Sequence, residues 1–235
     1  MDILNEIISW TNKNSGFLSL ILFVATIIYG WTSGLISSLI KKPKLKVRFI
    51  PKMSFYSFYY TGEKWFNEQL NEEFELHKTG FVVYMSIANV GNKATSIDKI
   101  SLGYYKNNLK KSHSKKDMEW INQMHPADDF GIELSNGEEI LVPNLRVRNR
   151  NFVNSSDSYI TVGSSLVGIA YFEQFKAWGN LNPKEFEEGR IKVIIRVKDT
   201  YGLTYDFDTI LKHISIEDAR KHNPHFGNVE ELTIK

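Results

Sequence analysis

Two kinds of side chain in this sequence are candidates for chemistry: imidazoles with carboxylates, and clustered cations. Six histidines are present, and only His222 and His225 lie close together. Pro224 between them prevents a shared helical face, and no carboxylate or third imidazole sits at ligand spacing to complete a metal site. The pair reads as a helix-ending surface motif. Asp128 with Asp129 and Glu187 with Glu188 are adjacent acids on loop-like segments, and such acids stay solvated unless burial shifts a pKa. No nucleophile elbow, phosphate-binding glycine loop, HExxH or kinase signature occurs. The sequence therefore predicts no catalytic residue, no metal and no cofactor.

The cations are more informative. Lys106, Lys110, Lys111, Lys115 and Lys116 fall in one polar stretch, and Arg146, Arg148 and Arg150 share one face of a strand end. The arginine fork suits phosphate or carboxylate, so an anion site is expected at Lys110, Lys111, Arg146, Arg148 and Arg150. Two plainer readings stand beside it: lysine-rich loops are usually solvated surface, and a cross-strand acid such as Asp206 would equally satisfy the arginines. The net charge of +2 gives no global case for nucleic acid. Cysteine is absent, so neither a disulfide framework nor a thiolate metal site can form.

The elements that must position these groups begin with Phe17 to Ile40, about two dozen residues without a charge, followed by Lys41, Lys42, Lys44, Lys46 and Arg48. As a helix this stretch measures roughly 36 Å against a hydrocarbon core of about 30 Å, enough to cross a bilayer once. A cleaved signal peptide fits poorly, because Asp2 and Glu6 occupy the place of a basic leader. The cations just after the span predict a single-pass membrane protein with its C-terminal side in the cytoplasm. Ahead of the span, residues 1–16 include an amphipathic segment with Ile3, Leu4, Ile7, Ile8 and Trp10 on one side. Within the span, Gly30, Ser33, Gly34, Ser37 and Ser38 gather opposite Leu35, Ile36, Leu39 and Ile40. Small residues let helices approach closely, so this face is expected to drive homo-oligomerisation in lipid; the plain alternative is that glycine and serine are simply common in membrane helices.

Residues 41–213 alternate in strand fashion. Leu45, Val47 and Phe49 oppose Lys44, Lys46 and Arg48, and Phe81 to Ala88, then Ile97 to Tyr104, form a strand, turn and strand. A strand is expected over Glu139 to Val147, and further strands over Tyr159 to Val162 and Leu166 to Phe172. Trp178 is expected to close an edge of the core. The clearest hairpin sets Ile191, Val193, Ile195 and Val197 inward and Arg190, Lys192, Arg196 and Lys198 outward, with Asp206 and Asp208 on the returning strand. Gly62 to His77 reads as a long connection with one helical turn, and Asp117 to Met124 as a short helix around Trp120. Ser215 and Asp218 form a capping pattern for a helix over Ile216 to His222, within a 214–235 segment whose last ten residues are expected to be loose. Eight or nine alternating strands without a strand-then-long-helix rhythm predict a mainly β fold, an antiparallel immunoglobulin-like sandwich behind a transmembrane helix, with a closed barrel as the alternative.

The order of parts, with the KKPKLKV opening strand and the FVVYMSIANVGNKATSI, GIAYFEQFKAWGN and ISIEDARKHNPHFG segments, resembles small bacterial membrane-anchored β-sandwich proteins. It is similar in layout to transmembrane effectors of antiphage systems such as retrons. That resemblance implies a non-enzymatic effector that damages the inner membrane when released, with a regulatory protein or ribonucleoprotein partner encoded nearby; it assigns no functional residue. The alternative is a passive anchored module that recruits a protein or anionic ligand to the membrane.

Overall fold

The computed structural model describes residues 2–34, 41–107, 118–124, 126, 128–133, 136–145, 158–177 and 181–228. Ser37, Ser38, Lys110, Lys111, Lys115, Lys116, Arg146, Arg148, Arg150 and Trp178 lie outside them. The chain divides into two compact units, Met1–Lys42 and Pro43–Lys235.

In the first unit, helix α1 (Asp2–Lys13) is followed after Asn14 by helix α2 (Ser15–Thr32). Of α1, Ile3, Ile7, Ile8 and Trp10 are all more than half exposed, and no residue of α2 is buried. Helix α2 is long and apolar enough to cross a membrane, at about 27 Å. It is shorter than the expected span. Ser33 N–H donates to Tyr29 O, Gly34 N–H donates to Trp31 O at 3.2 Å, and Gly34 takes φ 77°. That left-handed glycine is how helices commonly terminate. A single helix from Phe17 to Ile40 is therefore corrected at Thr32; residues 35–40 are outside the described set.

The second unit is mainly β, with twelve strands among the described residues: β1 (Leu45–Phe49), β2 (Phe55–Asn67), β3 (Glu72–Asn89), β4 (Thr95–Tyr105), β5 (Met118–Asn122), β6 (Phe130–Glu133), β7 (Glu139–Val142), β8 (Tyr159–Ile160), β9 (Ser165–Glu173), β10 (Glu185–Glu187), β11 (Arg190–Asp199) and β12 (Thr204–His213). A short helix, α3 (Ile216–His222), follows. Strand β3 is the hub, antiparallel to β1 and β2 on successive stretches and to β9. Its residues alternate between two cores: Phe81, Val83, Met85 and Ile87 join Ile97, Ile100, Leu102, Ile191, Val193, Ile195 and Val197, whereas Val82 joins Phe55, Tyr59, Phe130, Tyr171 and Phe226. Burial on both faces explains the unbroken apolar run there.

Pairing proceeds from β9 through β3, β2, β12, β11 and β4 to β5, with a short parallel contact between β12 and β2. Just beyond β5, Met124 N–H donates to Tyr171 O of β9 at 2.8 Å, so the succession of pairings returns on itself. This is an antiparallel-rich, mainly β architecture behind an apolar helix; the pairing does not itself define an immunoglobulin-like sandwich.

Three expectations change. Gly62 to His77 is not a connection with a helical turn but the distal part of the β2–β3 hairpin, in which Trp65 and Phe74 are register partners with rings 6.3 Å apart. Their nine-residue separation was compatible with both geometries, and the turn decides: Asn67 Oδ1 accepts from Gln69 and Leu70 N–H, and Asn71 takes φ 52°. Trp120 sits on strand β5 opposite Gly103, not on a helix. A side chain at 103 would meet its indole at 2.9 Å, so the glycine makes room for the ring. Of the last ten residues, 226–228 are described and Phe226 among them is 1 % exposed, so the chain is anchored at least that far; residues 229–235 lie outside the described set.

Candidate functional site

One concavity among the described residues lies beside the β11–β12 hairpin. Alternation on β11 sends Arg190 and Lys192 outward, and the antiparallel register sets Arg190 opposite Lys212, Lys192 opposite Ile210 and Ile194 opposite Asp208. With Pro51, Ser54 and Tyr105 these residues line a groove of about 680 Å³. Three cations against one carboxylate make its lining net positive, and Tyr105, Ile194 and Ile210 add apolar surface beside them.

The two ends of the hairpin differ electrostatically. At one end Arg196 donates from Nε and Nη2 to the two carboxylate oxygens of Asp206 at 2.7 and 2.9 Å, a fork that raises the guanidinium pKa. At the groove end two cations stand directly opposite each other, an arrangement that destabilises a sheet unless an anion relieves it. Glu187 relieves part of it by pairing with Arg190 at 2.9 Å, and Lys192 lies over the Phe186 ring at 4.8 Å. Asp206, proposed from sequence as a partner for Arg146, Arg148 and Arg150, is held by Arg196 in this structure.

A second polar cluster is built for stability. Glu173, 7 % exposed, accepts a hydrogen bond from the Tyr171 hydroxyl, which in turn accepts from Gly227 N–H at 3.0 Å. Burial and then the Glu173 charge hold Tyr171 and neighbouring Tyr59 well above the usual tyrosine pKa. The cluster fastens the C-terminal segment. The histidines are used separately: His222 Nδ1 lies 2.9 Å from Gly131 O, and His225 Nε2 lies 3.0 Å from Asp128. Among the described residues no three His, Cys, Asp or Glu side chains gather as a metal site.

Of the expected association face, Gly30 lies within α2, Ser33 caps it with Oγ donating to Gly30 O at 3.2 Å, and Gly34 lies beyond its end. Gly30 and Gly34 are thus not two positions of one continuous helix, and the hydroxyl of Ser33 is satisfied by its own backbone. Ser37 and Ser38, like the predicted anion residues Lys110, Lys111, Arg146, Arg148 and Arg150, fall outside the described residues. Sequence reasoning placed Arg190 and Lys192 outward but missed their convergence with Lys212, a like-charge opposition that depends on the hairpin register.

No family model matches the chain, and no curated protein matches it. Among solved structures, the ApaA protein of Bordetella pertussis aligns at 7 % identity over 74 % of this chain and 96 % of its own, with a TM-score of 0.30. A second structural-genomics target aligns at 8 % identity over 73 % and 85 %, with a TM-score of 0.26. Overlaps at that level define no common fold.

Proposed function

We propose that this chain is a single-pass, membrane-anchored binding module without catalytic activity, which takes a carboxylate- or phosphate-bearing partner in the β11–β12 groove. The observation that carries the reading is the register that opposes Arg190 to Lys212 with Lys192 beside them. An anion placed there relieves like-charge repulsion and adds charge-assisted hydrogen bonds. The anchored location rests on α2, and the run from Lys41 to Arg48 supports an inner-membrane protein with the β unit in the cytoplasm.

The test uses full-length protein in nanodiscs and a fluorescent poly-glutamate probe. Binding that weakens with salt and falls about tenfold in Lys192→Glu with Lys212→Glu supports the groove. Binding indifferent to that double reversal defeats it.

A second reading, the antiphage effector that damages the membrane, is favoured by one observation: exposed amphipathic α1 leads directly into apolar α2. Amphipathic helices of this kind insert at the headgroup boundary. Inducible expression with a membrane-potential dye separates the two, since a passive module leaves the potential unchanged.

A further inference from the structure

We infer that the occupant of the groove is the β2–β3 arm of a second copy of this chain. The inference rests on the anion-groove reading and names its partner.

The arm, residues 60–78, carries Glu63, Glu68, Glu72, Glu73 and Glu75 against Lys64 and Lys78. Lys64 is already engaged by Glu73 at 3.1 Å. The arm also displays apolar surface: Tyr60, Trp65, Phe66 and Leu70 are between 42 % and 60 % exposed. A two-stranded ribbon with exposed rings on its strands is marginal in isolation and gains stability from a partner surface. The groove presents the complement, three cations beside apolar side chains, so one chain carries both halves of a matched pair.

β2 runs parallel to β12, with Phe55 and Tyr56 opposite Lys212 and His213, so the arm continues away from the groove residues Asp208 to Lys212 of its own copy. Ser54, on the groove wall, immediately precedes β2, and the strand then runs twelve residues to Asn67, which spans roughly 40 Å when extended. The contact is therefore between copies. Anchoring in a bilayer raises the encounter frequency of such copies without any new contact.

The chain has no cysteine, which makes site-directed cross-linking clean. Two differently tagged full-length copies are co-expressed in membranes, one carrying Gln69→Cys at the arm tip and the other Ile210→Cys in the groove. We expect a mixed cross-linked dimer. Its yield should fall about fivefold or more when Lys192→Glu and Lys212→Glu are added to the groove copy, and recover when Glu72→Lys and Glu75→Lys are added to the arm copy. Recovery shows that the reversed proteins still fold. If the dimer is absent, or insensitive to charge, while poly-glutamate binding persists, the second-copy inference is overturned and the groove reading stands; loss of both overturns both. Cross-links only between arm cysteines, or a dye at Gln69→Cys that responds to empty vesicles instead of a second copy, also overturn it.

Discussion

Arg196 is clamped between Asp206 and Trp120: its guanidinium carbon lies 3.9 Å from the indole centroid while two of its nitrogens bond the carboxylate. Three strands are thereby tied together, β12 through the acid, β11 through the arginine and β5 through the ring. The pair is partly exposed, so solvent screens it, and shape contributes more than charge. Arg196→Lys keeps the charge but loses both the fork and the flat stack. It should lower unfolding free energy by about 1 kcal/mol in urea titrations. A double-mutant cycle with Asp206→Asn should give a coupling of about 0.5 kcal/mol, and none at all would remove the clamp from the account.

Phe226 fills the second core against Phe55, Tyr59 and Tyr171, 5.4 to 6.3 Å between ring centroids. Phe226→Ala should cost about 3–5 kcal/mol by lost transfer and cavity terms. Truncation after His213 removes Ala219 as well and should cost at least as much. A truncated protein with unchanged midpoint in a denaturant titration would mean that the segment is a loose tail after all.

Burial is the first cause of the raised pKa at Tyr56, Tyr59, Tyr104 and Tyr171; the Glu185 hydrogen bond adds to it at Tyr56, and the Glu173 charge at Tyr59 and Tyr171. Groups whose folded pKa exceeds the unfolded value of 10.0 stabilise fully below that value and lose their contribution as pH rises through the folded pKa. Stability should therefore be flat across neutrality and decline above pH 10. In an alkaline titration, tyrosinate absorbance from these four should appear together with unfolding and not before it. Early, independent ionisation of all eleven tyrosines would contradict the buried arrangement.

Gly34 and Gly30 should respond differently to the same substitution. At φ 77° a β-branched residue is strained, so Gly34→Ile should cost about 1 kcal/mol or more or shift the helix end, whereas Gly34→Asn should keep it at Thr32. Gly30→Ile lies within α2 and meets no such strain. Backbone chemical shifts of the full chain in bicelles report the helix end directly; equal behaviour of both isoleucine variants would restore the single-helix reading.

Much of the fold was legible because burial there is one-sided and the pattern clean. The alternation of Ile191, Val193, Ile195 and Val197 gave the hairpin, and Ser215 with Asp218 gave α3, where Ser215 Oγ accepts from Asp218 N–H at 3.1 Å. The errors fell where apolar spacing fits two periods at once, as with Trp65 and Phe74, or where a residue faces a neighbour distant in sequence, as Trp120 faces Gly103 and Arg196. Gly34 misled because GxxxG and a terminating glycine look alike until φ is known. The groove escaped because it depends on register: nothing in the order of residues says that Lys212 will stand opposite Arg190.

Strand β3 also sets a timetable for synthesis. Its partners β1 and β2 precede it on the ribosome, but the edge that receives β9 waits for residues up to Glu173. At ordinary elongation rates that interval is on the order of ten seconds, during which the apolar half of the strand, Gly80 to Ala88, offers an unsatisfied row of backbone donors and acceptors. The nascent chain is thus most vulnerable to mispairing in mid-translation, and slower elongation between β3 and β9 should lower soluble yield even though the finished protein is unchanged.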